Sequence, residues 1–189
     1  EKYIMHLPHH GKYEWLPLLY TMVETLKPNK IIEFGPGRGQ TTITMALALK
    51  NLGKGTIKSY DLWVDEYWGD IQDCLNSFKE WNVSDLIDIN KLDFYDWIKL
   101  PKKDREFDLL YFDINNNGDK LLDLYENVKE NIDDGAIVLF EGGSVVRDDY
   151  GSDGTRMNDV KDKIGYQVLT EDVKYSLSMI CNKSIYELE

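Results

Sequence analysis

The tightest constraint on this chain is the run Ile31-Ile32-Glu33-Phe34-Gly35-Pro36-Gly37-Arg38-Gly39, followed by Gln40-Thr41-Thr42. An apolar strand carrying an acid, three glycines at alternate positions and a helix-forming stretch together describe a strand-to-helix turn in an α/β sheet. Glycine tolerates φ > 0 and has no Cβ, so such a turn lets the backbone approach a nucleotide-like ligand closely. The spacing excludes two common variants. A dinucleotide turn, Gly-x-Gly-x-x-Gly, would need glycine at position 40, where Gln40 stands. The phosphate-cradling Gly-x-x-x-x-Gly-Lys-Ser/Thr is absent as well. A tight turn that binds nothing is the plain alternative.

Composition narrows the partners. A chain of 189 residues, 42% hydrophobic and 12% aromatic, suits one globular domain, here expected to span 1–189. A net charge of −12 without a Lys/Arg-rich run argues against nucleic acid and against an anionic membrane surface. No apolar run is long enough to cross a bilayer, and no signal-peptide core is seen at the start. Cys74 and Cys181 lie far apart with no Cys-x-x-Cys, so both are expected to be buried thiols of a cytoplasmic protein.

Strand-like runs alternate with helical patterns, which predicts a mostly parallel sheet covered on both faces. Residues 13–27 form a leading helix with Pro17 in its first turn. Strands are expected at 30–34, 55–60, 86–91, 107–112 and 135–140, with helices at 41–52, 67–81 and 119–132. The last of these helices should bury Leu121, Leu122, Tyr125, Val128 and Ile132. Residues 142–163 read as a loop with a short helix, and 165–171 with 175–182 as a closing hairpin.

Each strand ends on or near an acid: Glu33, Asp61, Asp93, Asp113 and Glu141. Ligands of such sheets bind beyond the carboxyl ends of the strands. A ligand with amino and hydroxyl groups offers hydrogen-bond donors that these acids can accept from.

Glu33-Phe34-Gly35-Pro36-Gly37-Arg38-Gly39 resembles motif I, Glu/Asp-x-Gly-x-Gly-x-Gly, of the class I S-adenosylmethionine-dependent methyltransferases. The order of five β–α units and a terminal hairpin is also similar to that family. The resemblance implies a Rossmann-like seven-stranded sheet in the order 3-2-1-4-5-7-6. It implies S-adenosylmethionine as cofactor, with contacts from Glu33, Gly35, Gly37, Gly39, Asp61, Leu62, Asp93 and Asp113. Asp61, in Tyr60-Asp61-Leu62-Trp63, takes the place of the acid that holds the ribose hydroxyls. Asp93 matches the residue near the adenine amine, although a helix N-cap would look the same in sequence. Glu33 would meet the ribose or the methionine amine, or order the glycine loop. Tyr60, Trp63 and Phe94 are candidates for packing on the adenine or for the core.

Tyr111-Phe112-Asp113 resembles the fourth-strand ending of small-molecule O-methyltransferases, especially those of sugar and natural-product pathways. Asp113 and Glu141 are therefore the candidate catalytic acids. The chain departs from that subgroup in Ile114-Asn115-Asn116 and in Glu141-Gly142-Gly143. A Mg²⁺ ion on Asp113, Glu141 and Asn115, and a metal-free site with one acid as base, both stay open. A domain that binds the cofactor without catalysis is the second reading; a nicotinamide oxidoreductase is a third, opposed by Gln40. His6, His9 and His10 offer a possible base near the start of the chain. Arg147 and Arg156 could clamp an anionic acceptor or simply solvate an acidic loop. A homodimer is compatible with the exposed apolar residues near the N-terminus.

Overall fold

The computed structural model describes residues 14–64 and 69–182, so His6, His9 and His10 lie outside the described residues. The strands form one seven-stranded sheet in the order 3-2-1-4-5-7-6. The chain divides into two compact units, one up to Arg105 and one from Glu106 onward.

In the first unit, α1 (Leu16–Leu26) precedes β1 (Lys30–Phe34), α2 (Gln40–Leu52), β2 (Thr56–Asp61), α3 (Ile71–Glu80), β3 (Ile87–Lys91) and the single-turn α4 (Phe94–Trp97). Pro17 sits in the first turn of α1, where its missing N–H leaves no intrahelical bond unmade. β1 pairs with β2 and β2 with β3, all parallel, with Phe34 beside Tyr60 and Asp61 beside Lys91. Phe34 packs face-on against Tyr60 at 5.4 Å and edge-on against Trp97 at 5.0 Å and Phe94 at 5.7 Å. Tyr60 and Phe94 are thus core residues of this unit. The helix expected over 67–81 begins at Ile71, because Asp70 and Asp73 form a reciprocal capping box there.

In the second unit, β4 (Leu109–Phe112), α5 (Gly118–Asp133) and β5 (Ile137–Glu141) make a β–α–β unit with parallel strands. Then come α6 (Val145–Tyr150), a 3₁₀ turn at Met157–Val160, α7 (Lys161–Ile164), β6 (Gln167–Val168) and β7 (Leu177–Ile180). Asn117 caps α5 by accepting from the Asp119 and Lys120 amides. The buried stripe of α5 is Leu121, Leu124, Val128 and Ile132; Leu122 and Tyr125, expected inside, are only half-buried. Leu124 and Tyr125 lie at i+3 and i+4 from Leu121, and of the two it is Leu124 that is buried.

β7 runs antiparallel to both β5 and β6. The hairpin is shorter than the alternation suggested. The Leu169 and Thr170 amides both point at the Leu177 carbonyl, and the Leu177 amide donates to the Thr170 hydroxyl instead of a main-chain oxygen. A side chain therefore ends the ladder after Val168. Among the described residues, no helix is long and apolar enough to cross a membrane.

Candidate active site

The glycine turn lies at the end of β1 in the first unit. Gly35, Gly37 and Gly39 have φ of 80°, 53° and 84°, all left-handed. Gly39 shows why no other residue suits: it occupies the N-cap of α2, and a Cβ there would lie 2.7 Å from Phe78 Cε1. No side chain caps α2. Its N-terminus therefore keeps the positive end of the helix dipole directed at the turn.

Glu33 is fully buried, and its carboxylate faces three hydroxyls. Thr41 Oγ1 donates to Oε1 and Thr42 Oγ1 to Oε2, each at 2.6 Å, while Ser59 Oγ donates to Oε2. One side chain of β1 thereby binds the first turn of α2 and the middle of β2. Of the roles the sequence offered for Glu33, these contacts match the ordering of the glycine loop. Thr41, Thr42 and Ser59 were not singled out in the sequence, although two threonines in the first turn of a buried helix are a usable signal.

Asp61 closes the opposite side of the turn. Its Oδ1 accepts from the Leu62 amide at 2.7 Å and the Trp63 amide at 3.0 Å, and Oδ2 accepts from the Gly37 amide at 3.4 Å. This local turn holds Trp63 in a left-handed conformation, φ 45°, that a bulky residue seldom adopts. The Trp63 indole then donates to the Gly37 carbonyl at 3.2 Å. The Cys74 thiol points at the same oxygen at 3.0 Å. Gly37 is thus held through both its N–H and its C=O. Asp93, half-buried, caps α4 by accepting from the Tyr95 amide at 2.8 Å. The cap accounts for one carboxylate oxygen of Asp93.

Burial pushes the Cys74 thiol up to about 12, helped by the Glu33 carboxylate. Cys181, expected to be buried, is half-exposed. A thiol reagent at pH 8 is therefore expected to modify Cys181 in the native protein and Cys74 only after denaturation. Peptide mapping by mass spectrometry distinguishes the two; native labelling at Cys74 would contradict the burial.

The second unit carries the other two acids. Asp113 follows β4 and is half-buried; Glu141 ends β5 and is only 4% exposed. Glu141 Oε1 accepts from Arg147 Nε at 2.6 Å, a pair almost withdrawn from water. Arg147 also donates from Nη1 to the Gly151 carbonyl at 2.6 Å. Burial alone would lower the Arg147 pKa, but the Glu141 hydrogen bond and the charges of Glu141 and Asp113 outweigh it and raise it. Glu141, which with Asp113 was expected to supply a base, thus carries an ion pair with Arg147.

The metal set expected from the sequence comprised Asp113, Glu141 and Asn115. Among the described residues, no group of three or more His, Cys, Asp or Glu side chains is arranged to hold an ion. Glu141 meets a guanidinium instead. Arg156, the other arginine of the segment, pairs with Asp149 at 2.5 Å and lies 3.8 Å from Asp148. Asp148 is buried and also accepts from the Asn158 and Met157 amides and from Asn116 Nδ2. That network ties together 142–163, expected as a loop with a short helix, which holds two short helices and a 3₁₀ turn.

Comparison with known proteins agrees with this geometry. A family of methyltransferase domains matches residues 32–142. The fold is similar to that of the O-methyltransferase TomG from Streptomyces achromogenes, solved with SAM, at a TM-score of 0.68 and 14% identity over 92% of this chain and 82% of that one. An O-methyltransferase from Bacillus cereus, solved with SAH, superposes at 0.67 with 15% identity over 94% and 86%. The SAH-bound methyltransferase PaMTH1 of Podospora anserina gives 0.67 at 14% over 93% and 80%. No curated protein matches by sequence. With more than half of its length matched, across the glycine turn and through the end of β5, the chain belongs to the methyltransferase-domain family.

Proposed function

We propose that this methyltransferase uses S-adenosylmethionine and methylates a small molecule, at an oxygen atom. The observation that carries the donor assignment is the stitched turn of the first unit. Asp61 is fixed by two main-chain amides through one oxygen, while its second oxygen has only a long contact at 3.4 Å. That second oxygen suits a pair of ribose hydroxyls. The uncapped N-terminus of α2 suits the carboxylate of the methionine portion. Leu62 would pack on the adenine, and Asp93 would use its second carboxylate oxygen for the adenine amine.

Bound there, S-adenosylmethionine supplies a methyl group on a sulfonium leaving group. The chain's own task is then to align and desolvate, and alignment alone can supply about 7–11 kcal/mol of barrier lowering. The family match runs across the boundary between the two compact units, which supports a single methyltransferase domain over 1–189. The names of the structural neighbours favour oxygen as the acceptor atom. Asp113, and Glu141 through its hold on Arg147, would serve the acceptor side. The net charge of −12 favours a small-molecule partner over nucleic acid, and a cytoplasmic protein, able to form a homodimer, accords with two cysteines that form no disulfide.

Calorimetric titration with S-adenosylhomocysteine and with NAD tests the donor. The expected result is micromolar or tighter binding of the first and none of the second. Binding of NAD alone would overturn the assignment.

A further inference from the structure

Two stretches of chain outside the glycine turn meet on a single carbonyl within it. The Gly39 amide donates to the Pro36 carbonyl at 2.7 Å, which makes Pro36–Gly39 a β-turn with Gly37 and Arg38 at its central positions. Gly37 has φ 53°, whereas φ of Arg38 is negative. A positive φ followed by a negative one defines a type II′ turn. The peptide between Gly37 and Arg38 is its central peptide. The carbonyl of that peptide receives the Trp63 indole N–H at 3.2 Å, from the segment after β2, and the Cys74 thiol at 3.0 Å, from α3. In a trans peptide the N–H points opposite to the C=O, so the same contacts direct the Arg38 N–H away from Trp63 and Cys74.

A type II′ turn has one near neighbour. Flipping its central peptide gives type I′, which keeps φ > 0 at Gly37 but requires φ > 0 at Arg38 as well. Glycine at position 37 offers no resistance to the flip. Arg38 opposes it, because a residue with a Cβ seldom adopts left-handed φ. The donors on the Gly37 carbonyl oppose it too, because the flip withdraws that oxygen from both. Trp63 makes its contact from a φ of 45°, kept there by the bonds of the Leu62 and Trp63 amides to Asp61 Oδ1. Backbone strain of this kind persists where the surroundings over-determine it, and it gathers at ligand clamps.

We propose that Trp63 is a positioning residue of the donor site, and that its indole N–H locks the Gly37–Arg38 peptide in the type II′ orientation to which S-adenosylmethionine binds. The inference rests on the donor reading above and adds a residue to it. Asp61 then serves the donor twice, directly through Oδ2 and indirectly by holding Trp63. Without the lock the flipped turn becomes populated, and apparent affinity falls with the fraction of molecules left in the binding orientation.

Calorimetry of the full chain with S-adenosylhomocysteine tests the lock. Trp63→Phe keeps a ring and removes the N–H, and is expected to weaken binding about three- to tenfold, the effect of one hydrogen bond. The decisive readout is the coupling to position 38. Arg38→Ala removes the guanidinium and keeps the Cβ; Arg38→Gly removes both, and with them the resistance to a positive φ. With Trp63 in place these two variants should bind within about twofold of each other. In the Trp63→Phe background Arg38→Gly should bind about fivefold more weakly than Arg38→Ala, or worse. A tryptophan that only packs the fold would lower the melting temperature of both double variants without separating their affinities. NMR of the wild-type chain needs no substitution: the Trp63 indole N–H should exchange with solvent far more slowly than a free indole. Wild-type affinity in Trp63→Phe, the same glycine-to-alanine ratio in both backgrounds, or indole exchange at the free rate overturns the assignment. If the wild-type chain binds no S-adenosylhomocysteine, the donor reading fails and this inference with it, an outcome distinct from the other three.

Discussion

Asp61→Ala is expected to lower affinity for S-adenosylmethionine by two orders of magnitude or more. Two losses combine. The carboxylate oxygen proposed to meet the ribose disappears, and so do the bonds from the Leu62, Trp63 and Gly37 amides that shape the turn. Hydrogen bonds to a charged group contribute about 1.5–3 kcal/mol each. One such bond lost with the ligand corresponds to roughly 10–150-fold in affinity, and disorder of the Trp63 turn adds to it. Asp61→Asn separates the two effects. Its amide oxygen can still accept from Leu62 and Trp63, whereas its NH₂ cannot accept from Gly37 or from two hydroxyls. The asparagine variant should keep the fold and still bind poorly. Calorimetry that finds wild-type affinity in both variants would remove Asp61 from the donor site.

The largest effect on stability is expected at Glu33. Replacing it with alanine leaves the hydroxyls of Thr41, Thr42 and Ser59 facing a small apolar void in the core. Unsatisfied buried polar groups and a lost buried carboxylate place the destabilisation at about 3–5 kcal/mol. For a chain of this size that is a melting-temperature drop of roughly 6–20 °C. Glu33→Gln keeps an oxygen and the side-chain volume, so it should fall between alanine and wild type. Denaturant unfolding measures both. A loss below about 1 kcal/mol in the alanine variant would mean that the threonines find other partners.

Glu33 also shows where sequence reasoning stops. Its position before three alternate glycines marked a strand-to-helix turn, and the turn is present with all three glycines left-handed. Which way the carboxylate points was not legible. Alternation along β1 is masked because Ile31, Ile32, Glu33 and Phe34 are all buried, as in a strand covered on both faces. The direction of Glu33 is set by Thr41 and Thr42 from the following helix and by Ser59 from the neighbouring strand, 26 residues away. The same holds for Trp63. As an aromatic after Asp61 it reads as a partner for adenine or as core, yet its indole is tied to the Gly37 carbonyl.

In the second unit the gap is wider. Asp113 and Glu141 could be placed at strand ends because strands and their ends are local features. The surroundings of Glu141 depend on Arg147, which arrives from α6, a helix in a stretch that the sequence describes only as a loop with a short helix. Asp148 makes it a structured segment by collecting amides from Met157 and Asn158 and the Asn116 side chain. None of those pairings has a period or a spacing to find.

The sequence by itself determined the alternation of strands and helices, the closing hairpin, the glycine turn and the acids at the strand ends. These follow from apolar periodicity, from turn residues and from the steric freedom of glycine, all of which act over a few residues. Tertiary structure decided what each acid does. Glu33 became a buried anchor, Asp61 a clamp with one oxygen to spare, and Glu141 the partner of a guanidinium. The reason is that a carboxylate's role is set by the donors and charges that surround it, and folding brings those from distant parts of the chain.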